Sequence, residues 1–391
     1  MTSVPKLSAI VHELLTTTPD AIARTCGFIQ RRSKLSGAGF VQTLVWGWQS
    51  NPVATLEELA QTAATCGFSI TPQAIDQRFT PQAAELLRQV LLSALEVVVR
   101  AEPVAVEMLK RFTAVLLLDS TLVSLPDTLS GAWSGCGNRS GTGHSALKLC
   151  ACLDLCSGAL QLELMAGRAH DRSAKLQDTP TPAGTLRLAD VGYFSLDVLN
   201  RVAQEQSYWI SRIQTGTALY TQDGARWELA ELLERVAAEA LEWECPVELG
   251  AQHHLPVRLL AVRVSSEVAS ERRRALRAEA RRRGQTVSQR RLAVADWTVY
   301  VTNVPASMLT LQEAMVLVRA RWQIELLFKL WKSHGRVDEW RSHKPQRIMC
   351  EVYAKLLGLV VQHWLYVVSC WSAVARSLSK AALTAQRHAL H

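Results

Sequence analysis

The run Ala114-Val115-Leu116-Leu117-Leu118-Asp119-Ser120-Thr121 decides the reading of this chain, because five apolar residues in succession are stopped by a carboxylate. A continuous apolar run of that length is the pattern of a strand covered on both faces. A second strand-like stretch, residues 186–189, stops in the same way at Asp190. Between the two, residues 146–155 and 159–165 flank the turn Cys156-Ser157-Gly158 as a hairpin. After Asp190 come a helical segment, 196–206, and a further strand, 208–213. Strand, hairpin, strand, helix, strand, with helical sequence on both sides, predicts an α/β fold built on a mixed sheet flanked by helices.

Asp119 and Asp190 need a physical reason to stand where they do, since burying a carboxylate is costly unless a cation or hydrogen bonds compensate it. Strand ends at the carboxyl edge of an open sheet are where sites form, so two such residues on neighbouring strands could share metal ions. The alternative is local. Asp119 would bond Ser120 or Thr121, and Asp190 would serve the turn at Gly192.

A third polar group lies in what reads as one helix starting near Leu311. At about 100° per residue, Arg321, Glu325 and Lys332 fall within about 60° of one another and make a single stripe. Trp322, Ile324, Leu326, Leu327, Phe328, Leu330 and Trp331 surround that stripe, so the helix is expected to be largely buried. A carboxylate between two cations suits a site where Glu325 holds a metal while Arg321 and Lys332 grip a phosphate; a row of salt bridges is the other reading.

Taken together these blocks resemble a known family. Arg321-Trp322-Gln323-Ile324-Glu325 followed by Lys332 is similar to the Tyr-Arg-Glu-Lys signature of the bacterial insertion-sequence DDE transposases of the IS-four family. Leu118-Asp119-Ser120-Thr121 resembles the first acidic block of that family. Ala189-Asp190-Val191-Gly192-Tyr193-Phe194-Ser195, running on to Ile210-Ser211-Arg212, resembles the second. Trp297 with Val301-Thr302-Asn303 is similar to the strand before the signature helix, and the resemblance spans roughly residues 112–355. One position departs from the pattern: Val318 stands where the signature has tyrosine, and valine cannot hydrogen-bond a phosphate.

The resemblance implies an RNase H-like catalytic core in which Asp119, Asp190 and Glu325 hold two Mg²⁺ ions about 3.5–4 Å apart, with Mn²⁺ able to substitute. It implies cut-and-paste chemistry on double-stranded DNA, at the terminal repeats of an element and then at a target, by a homodimer on DNA in the bacterial cytoplasm. In hairpin-forming members an aromatic side chain holds a flipped base, and Trp297 matches that position; a core tryptophan is the equal alternative. Two other outcomes fit the same residues: a nuclease of the same fold without a joining step, and a catalytically impaired DNA-binding protein, which Val318 motivates.

Charge supports a polyanionic partner. Of the net charge of +8, residues 251–300 carry 11 Arg against 4 acids, 11 − 4 = +7. Arg272, Arg273, Arg274, Arg277, Arg281, Arg282 and Arg283 form its centre, either as DNA-backbone contacts or as a solvated helix face. Residues 221–245 are acidic, with Glu239 among seven carboxylates there.

The first hundred residues read as helical. Thr55 with Glu58 is a capping box, and Thr71-Pro72 and Thr80-Pro81 each set a capping hydroxyl before a first-turn proline. Residues 55–79 have the layout of a helix-turn-helix around Gly67, with Arg78 on the polar side of its second helix; a simple packing unit fits equally. The resulting organisation is an all-helical, DNA-binding N-terminal domain over 1–105, the catalytic core over 106–220 and 304–355, an inserted strand-rich subdomain over 221–303, and C-terminal helices over 356–391.

Nine cysteines without a Cys-x-x-Cys pair exclude a disulfide framework and a structural zinc site, and Cys150, Cys152 and Cys156 read as packing residues. The opening residues lack the apolar stretch of a secretory signal. Residues 356–371 are apolar but interrupted by Gln362 and His363, which favours a buried helix over a membrane span.

Overall fold

The structure is a computed structural model that describes residues 1–390 apart from 32–34, 138–143, 237–239, 374 and 376. Glu239 of the acidic segment lies outside the described residues. The chain opens with helices α1 (Val4–Leu15), α2 (Thr17–Thr25), α3 (Gly37–Ser50), α4 (Leu56–Thr65), α5 (Pro72–Gln77) and α6 (Pro81–Leu95). The start signals act as read. Thr55 Oγ1 accepts from the Glu58 amide at 3.2 Å while Glu58 accepts from the Thr55 amide at 2.7 Å, and the hydroxyls of Thr71 and Thr80 cap α5 and α6.

The sheet and its helices follow: β1 (Val115–Leu125), β2 (Ser145–Asp154), β3 (Leu160–Ala166), β4 (Leu186–Ala189), α7 (Leu196–Gln204), β5 (Tyr208–Arg212), β6 (Leu219–Tyr220), β7 (Arg226–Trp227), α8 (Leu229–Val236), β8 (Glu242–Leu249), β9 (Leu255–Arg263), α9 (Ser266–Arg282), α10 (Gln289–Val294) and β10 (Trp297–Thr302). The chain ends in α11 (Leu311–Ala320), α12 (Trp322–Ser333), α13 (Pro345–Cys370) and α14 (Leu378–Arg387). The strands make a large mixed sheet in the order β3-β2-β1-β4-β5-β10-β9-β8-β6-β7.

Two compact units divide the chain. The first comprises Met1–Leu109, Asp119–His170 and Gln323–His391. Its centre is α13, packed against α3 and α6. This helix is long and apolar enough to cross a membrane, yet 83% of its apolar window is buried inside the protein, as a core helix requires. Two of its buried polar side chains are tied to the surrounding protein. Lys355 bonds Glu351 at 2.8 Å and the carbonyls of Arg336 and Glu339 at 3.0 and 2.7 Å, and His363 donates to the Gly158 carbonyl at 2.8 Å. In the same unit β2 and β3 form the expected antiparallel hairpin, Leu147 opposite Ala166 through Leu153 opposite Leu160. Its turn needs Gly158, which has φ +74° and would place a Cβ 2.5 Å from the Trp371 ring.

The second unit comprises Lys110–Leu118 and Asp171–Trp322. Here β1, β4 and β5 run parallel, β10 pairs antiparallel with both β5 and β9, and β8 pairs with β9. Trp209, Leu249, Leu259, Trp297 and Val301 lie in its core. The segment expected as an insertion therefore supplies strands to the same sheet, with β10 beside β5.

Two local expectations are corrected. Asp119 does not end its strand, for β1 continues to Leu125. The extension is a half-covered strand, with Val123 and Leu125 buried while Leu122 and Ser124 are exposed, and such alternation supports a strand as well as a continuous apolar run does. The helix from Leu311 is also not single: α11 ends at Ala320, Arg321 is its C-cap, and α12 begins at Trp322. Arg321 therefore does not share a helix with Glu325 and Lys332.

Candidate active site

Pairing between β1 and β4 runs from Val115 opposite Leu186 to Leu118 opposite Ala189. The residue that follows each of these last paired positions is an aspartate, Asp119 and Asp190. Both are half-buried. Asp119 Oδ1 accepts from the Ser120 amide at 2.8 Å, which is the local bond foreseen for it. Asp190 differs. It precedes the short 3-10 turn Val191–Tyr193, its carbonyl accepts from the Tyr193 amide at 2.9 Å, and its side chain makes no cap bond there.

Glu325 lies in the first turn of α12, where the helix dipole favours a carboxylate, and is half-buried. Ile324, Leu327, Phe328 and Trp331 are buried, but Trp322 is 53% exposed and Leu326 and Leu330 are half-buried, so α12 is buried along one stripe and is not the largely buried helix expected. Lys332 shares the Glu325 face and donates to the Leu122 carbonyl of β1 at 2.9 Å. Among the described residues no group of three His, Cys, Asp or Glu side chains is gathered to hold a metal ion, so the meeting of Asp119, Asp190 and Glu325 is proposed below and not observed.

The residues expected to touch DNA divide into anchored and exposed sets. Trp297 is 6% exposed, with the Arg263 guanidinium 5.0 Å from its ring centre, as the core alternative requires. Arg272 donates to the Trp297 carbonyl at 2.9 Å and to Thr298 Oγ1 at 3.0 Å, and Arg273 bonds Asp296, so these two tie α9 to β10. Arg274, Arg277, Arg281 and Arg282 are exposed. Arg283, also exposed, pairs with Glu279 at 2.7 Å. Arg78 lies 5.7 Å over the Phe28 ring, and Asp76 beside it pairs with Lys344 and Arg347 at 2.8 and 3.3 Å. Helix α5 is six residues long and buries Ile75.

One residue was missed by sequence reasoning. The Asp171 carboxylate sits where a side chain on Gly192 would go, 2.7 Å from the position of an added Cβ, and so packs directly on the turn after Asp190. Its signal was weak: one acid in a polar connection, with no apolar run to mark it.

Comparison with known proteins gives the class first. The chain belongs to the Transposase DDE domain family, whose model matches residues 110–361. Among individual relatives, it is 27% identical over 363 residues to the transposase for insertion sequence element IS231F of Bacillus thuringiensis subsp. israelensis, covering 87% of this chain and 75% of that one. It is 25% identical over 364 residues to the transposase for IS1151 of Clostridium perfringens, covering 87% and 76%. It is 25% identical over 347 residues to the transposase for IS421 of Escherichia coli, covering 87% and 88%. The enzyme is thus a DDE transposase of the insertion-sequence type, and DNA is what it acts on.

Proposed function

We propose that this enzyme cleaves DNA at the ends of an insertion sequence and joins those ends to target DNA, using Asp119, Asp190 and Glu325 as its metal-binding carboxylates. The observation that carries the assignment is the register of β1 and β4, which sets Asp119 and Asp190 one step beyond paired residues on adjacent parallel strands. Three half-buried carboxylates are hard oxygen donors of the type Mg²⁺ takes, and the Asp190 side chain is not engaged in capping its own turn. Two bound Mg²⁺ ions, replaceable by Mn²⁺, would supply Lewis-acid activation of the attacking and leaving oxygens. The chain's own part is to hold Asp119 and Asp190 on the rigid sheet, to present Glu325 from the first turn of α12, and to offer exposed arginines of α9 to the DNA backbone.

The order β3-β2-β1-β4-β5, with an antiparallel hairpin beside parallel β1, β4 and β5, supports an RNase H-like core. Two element ends must be joined in one reaction, which supports a homodimer on DNA. Purified protein incubated with a pre-cut end, target plasmid and Mg²⁺ is expected to yield strand-transfer products. Nicking without any joined product would instead make it a nuclease of this fold.

Val318 favours a second reading, an impaired enzyme that still binds DNA. It is half-buried on α11 and offers no hydrogen bond where the signature has a phenol. Under that reading Val318→Tyr restores turnover that the natural protein lacks.

A further inference from the structure

We propose that Lys332 is a positioning residue that pins α12 to β1 and so holds Glu325 level with Asp119; the proposal rests on the assignment of those two carboxylates to metal binding. The family signature places a phosphate-gripping cation at this position. In the structure its ammonium instead donates to the Leu122 carbonyl at 2.9 Å, from a half-buried side chain.

The spacing on the two elements makes that bond consequential. Lys332 follows Glu325 by seven residues, which is roughly 10.5 Å along a helix and about 20° short of two full turns, so the two side chains share one face. Leu122 follows Asp119 by three residues, roughly 10 Å along a strand. Each acid therefore stands about the same distance from the pin, upstream along its own element. We infer that α12 runs in the same sense as β1 from that contact, which brings Glu325 abreast of Asp119. The apolar face of α12, Ile324, Leu327, Phe328 and Trp331, fixes the rotation of the helix but not its sliding along the strand, because apolar contacts are non-directional. The Lys332 bond, with one donor and one acceptor, fixes the slide.

The test compares Lys332→Met, which removes the donor, with Lys332→Arg, which keeps one. Two quantities are read: Mn²⁺ binding to the full-length protein without DNA, followed by the paramagnetic resonance of free Mn²⁺, and metal-free binding of a duplex element end across a series of salt concentrations. A pin predicts that K332M weakens Mn²⁺ binding by about fivefold or more, a loss of about 1 kcal/mol. It also predicts that the slope of log affinity against log salt is unchanged and that K332R restores Mn²⁺ binding. Unchanged Mn²⁺ binding in K332M overturns the pin, and a salt slope smaller by about 0.9 in the same variant reassigns Lys332 to a phosphate. Should K332M fail to fold by its thermal melt, Lys332→Gln, with a shorter donor, is judged by the same two readings. Glu325→Gln is the control on the underlying assignment: if it binds Mn²⁺ as the natural protein does, the metal role of Glu325 fails, separately from the pin.

Discussion

Leu118 on β1 lies directly opposite Ala189 on β4, and each is followed by an aspartate. Asp119 stays within β1, whereas Asp190 lies just past the end of β4 at the start of the 3-10 turn that follows it. Asp119→Asn and Asp190→Asn are each expected to reduce nicking of a labelled element end on the order of a thousandfold, since a lost metal ligand removes several kcal/mol of transition-state stabilisation. Gel-shift affinity for the same end should stay within about twofold, because the change touches no phosphate contact. Cleavage that survives in either variant would remove that residue from the metal set.

A Cβ on Gly192 would meet the end of the Asp171 carboxylate, 2.7 Å from where it would stand, so a side chain there must displace that carboxylate. The φ of Gly192 lies outside the left-handed region, so Gly192→Ala is limited by the neighbour and not by the backbone. The displaced partner is a short carboxylate beside the turn that carries Asp190. G192A is expected to lower cleavage about tenfold, with an overpacking cost of about 1 kcal/mol in stability. The double variant G192A with Asp171→Ala should recover the melting temperature, since the clash is gone. If the double variant is no more stable than G192A alone, the contact is not what excludes the side chain.

How far the residues announced this arrangement depends on whether the deciding contact was local. Residues 186–189 and 297–302 were legible as strands because each is a short, mostly apolar stretch followed by a polar stop, Asp190 and Asn303. The caps at Thr55, Thr71 and Thr80 were legible because their bonds span three residues. The break at Arg321 was not, for no Gly or Pro marks it. Trp297 could be placed in a strand, but its burial follows from Arg263 on the facing strand and from the surrounding core. Likewise nothing local separates Arg272 and Arg273 from Arg274. Successive helical residues point about 100° apart, and only the position of β10 decides which of them are tied down.

That division of the arginines predicts two distinct phenotypes from one helix. Arg272→Ala removes bonds to the Trp297 carbonyl and to Thr298 Oγ1, and is expected to destabilise the protein by about 2 kcal/mol with little change in the salt dependence of DNA binding. Arg274, Arg277 and Arg281 fall on one exposed stripe of α9 at spacings of three and four. Replacing all three by Ala should leave the melting temperature within the scatter of the natural protein. If each meets a phosphate, the triple variant should lower the slope of log affinity against log salt by roughly 2.7. An unchanged slope would make the stripe a solvated helix face.

His363 gives the first unit a built-in sensitivity to acid. The ring is 2% exposed on α13, its Nε2 donates to the Gly158 carbonyl at 2.8 Å, and burial pushes its pKa down from 6.5 to about 4. The folded protein therefore holds a neutral imidazole where the unfolded chain would bind a proton. With the folded value below the unfolded one, the contribution to stability is fully present above about pH 6.5 and is lost as pH falls toward about 4. The pH-dependent part is on the order of 3 kcal/mol. His363→Gln keeps a donor for Gly158 but cannot titrate. It should be less stable than the natural protein at pH 7.5, where its packing is imperfect, and the gap should close or reverse between about pH 6.5 and 4 as the natural protein alone loses the histidine contribution. Urea unfolding of both proteins at several pH values measures this, and stability curves that stay parallel across that interval would show that the imidazole is charged or solvated in the fold.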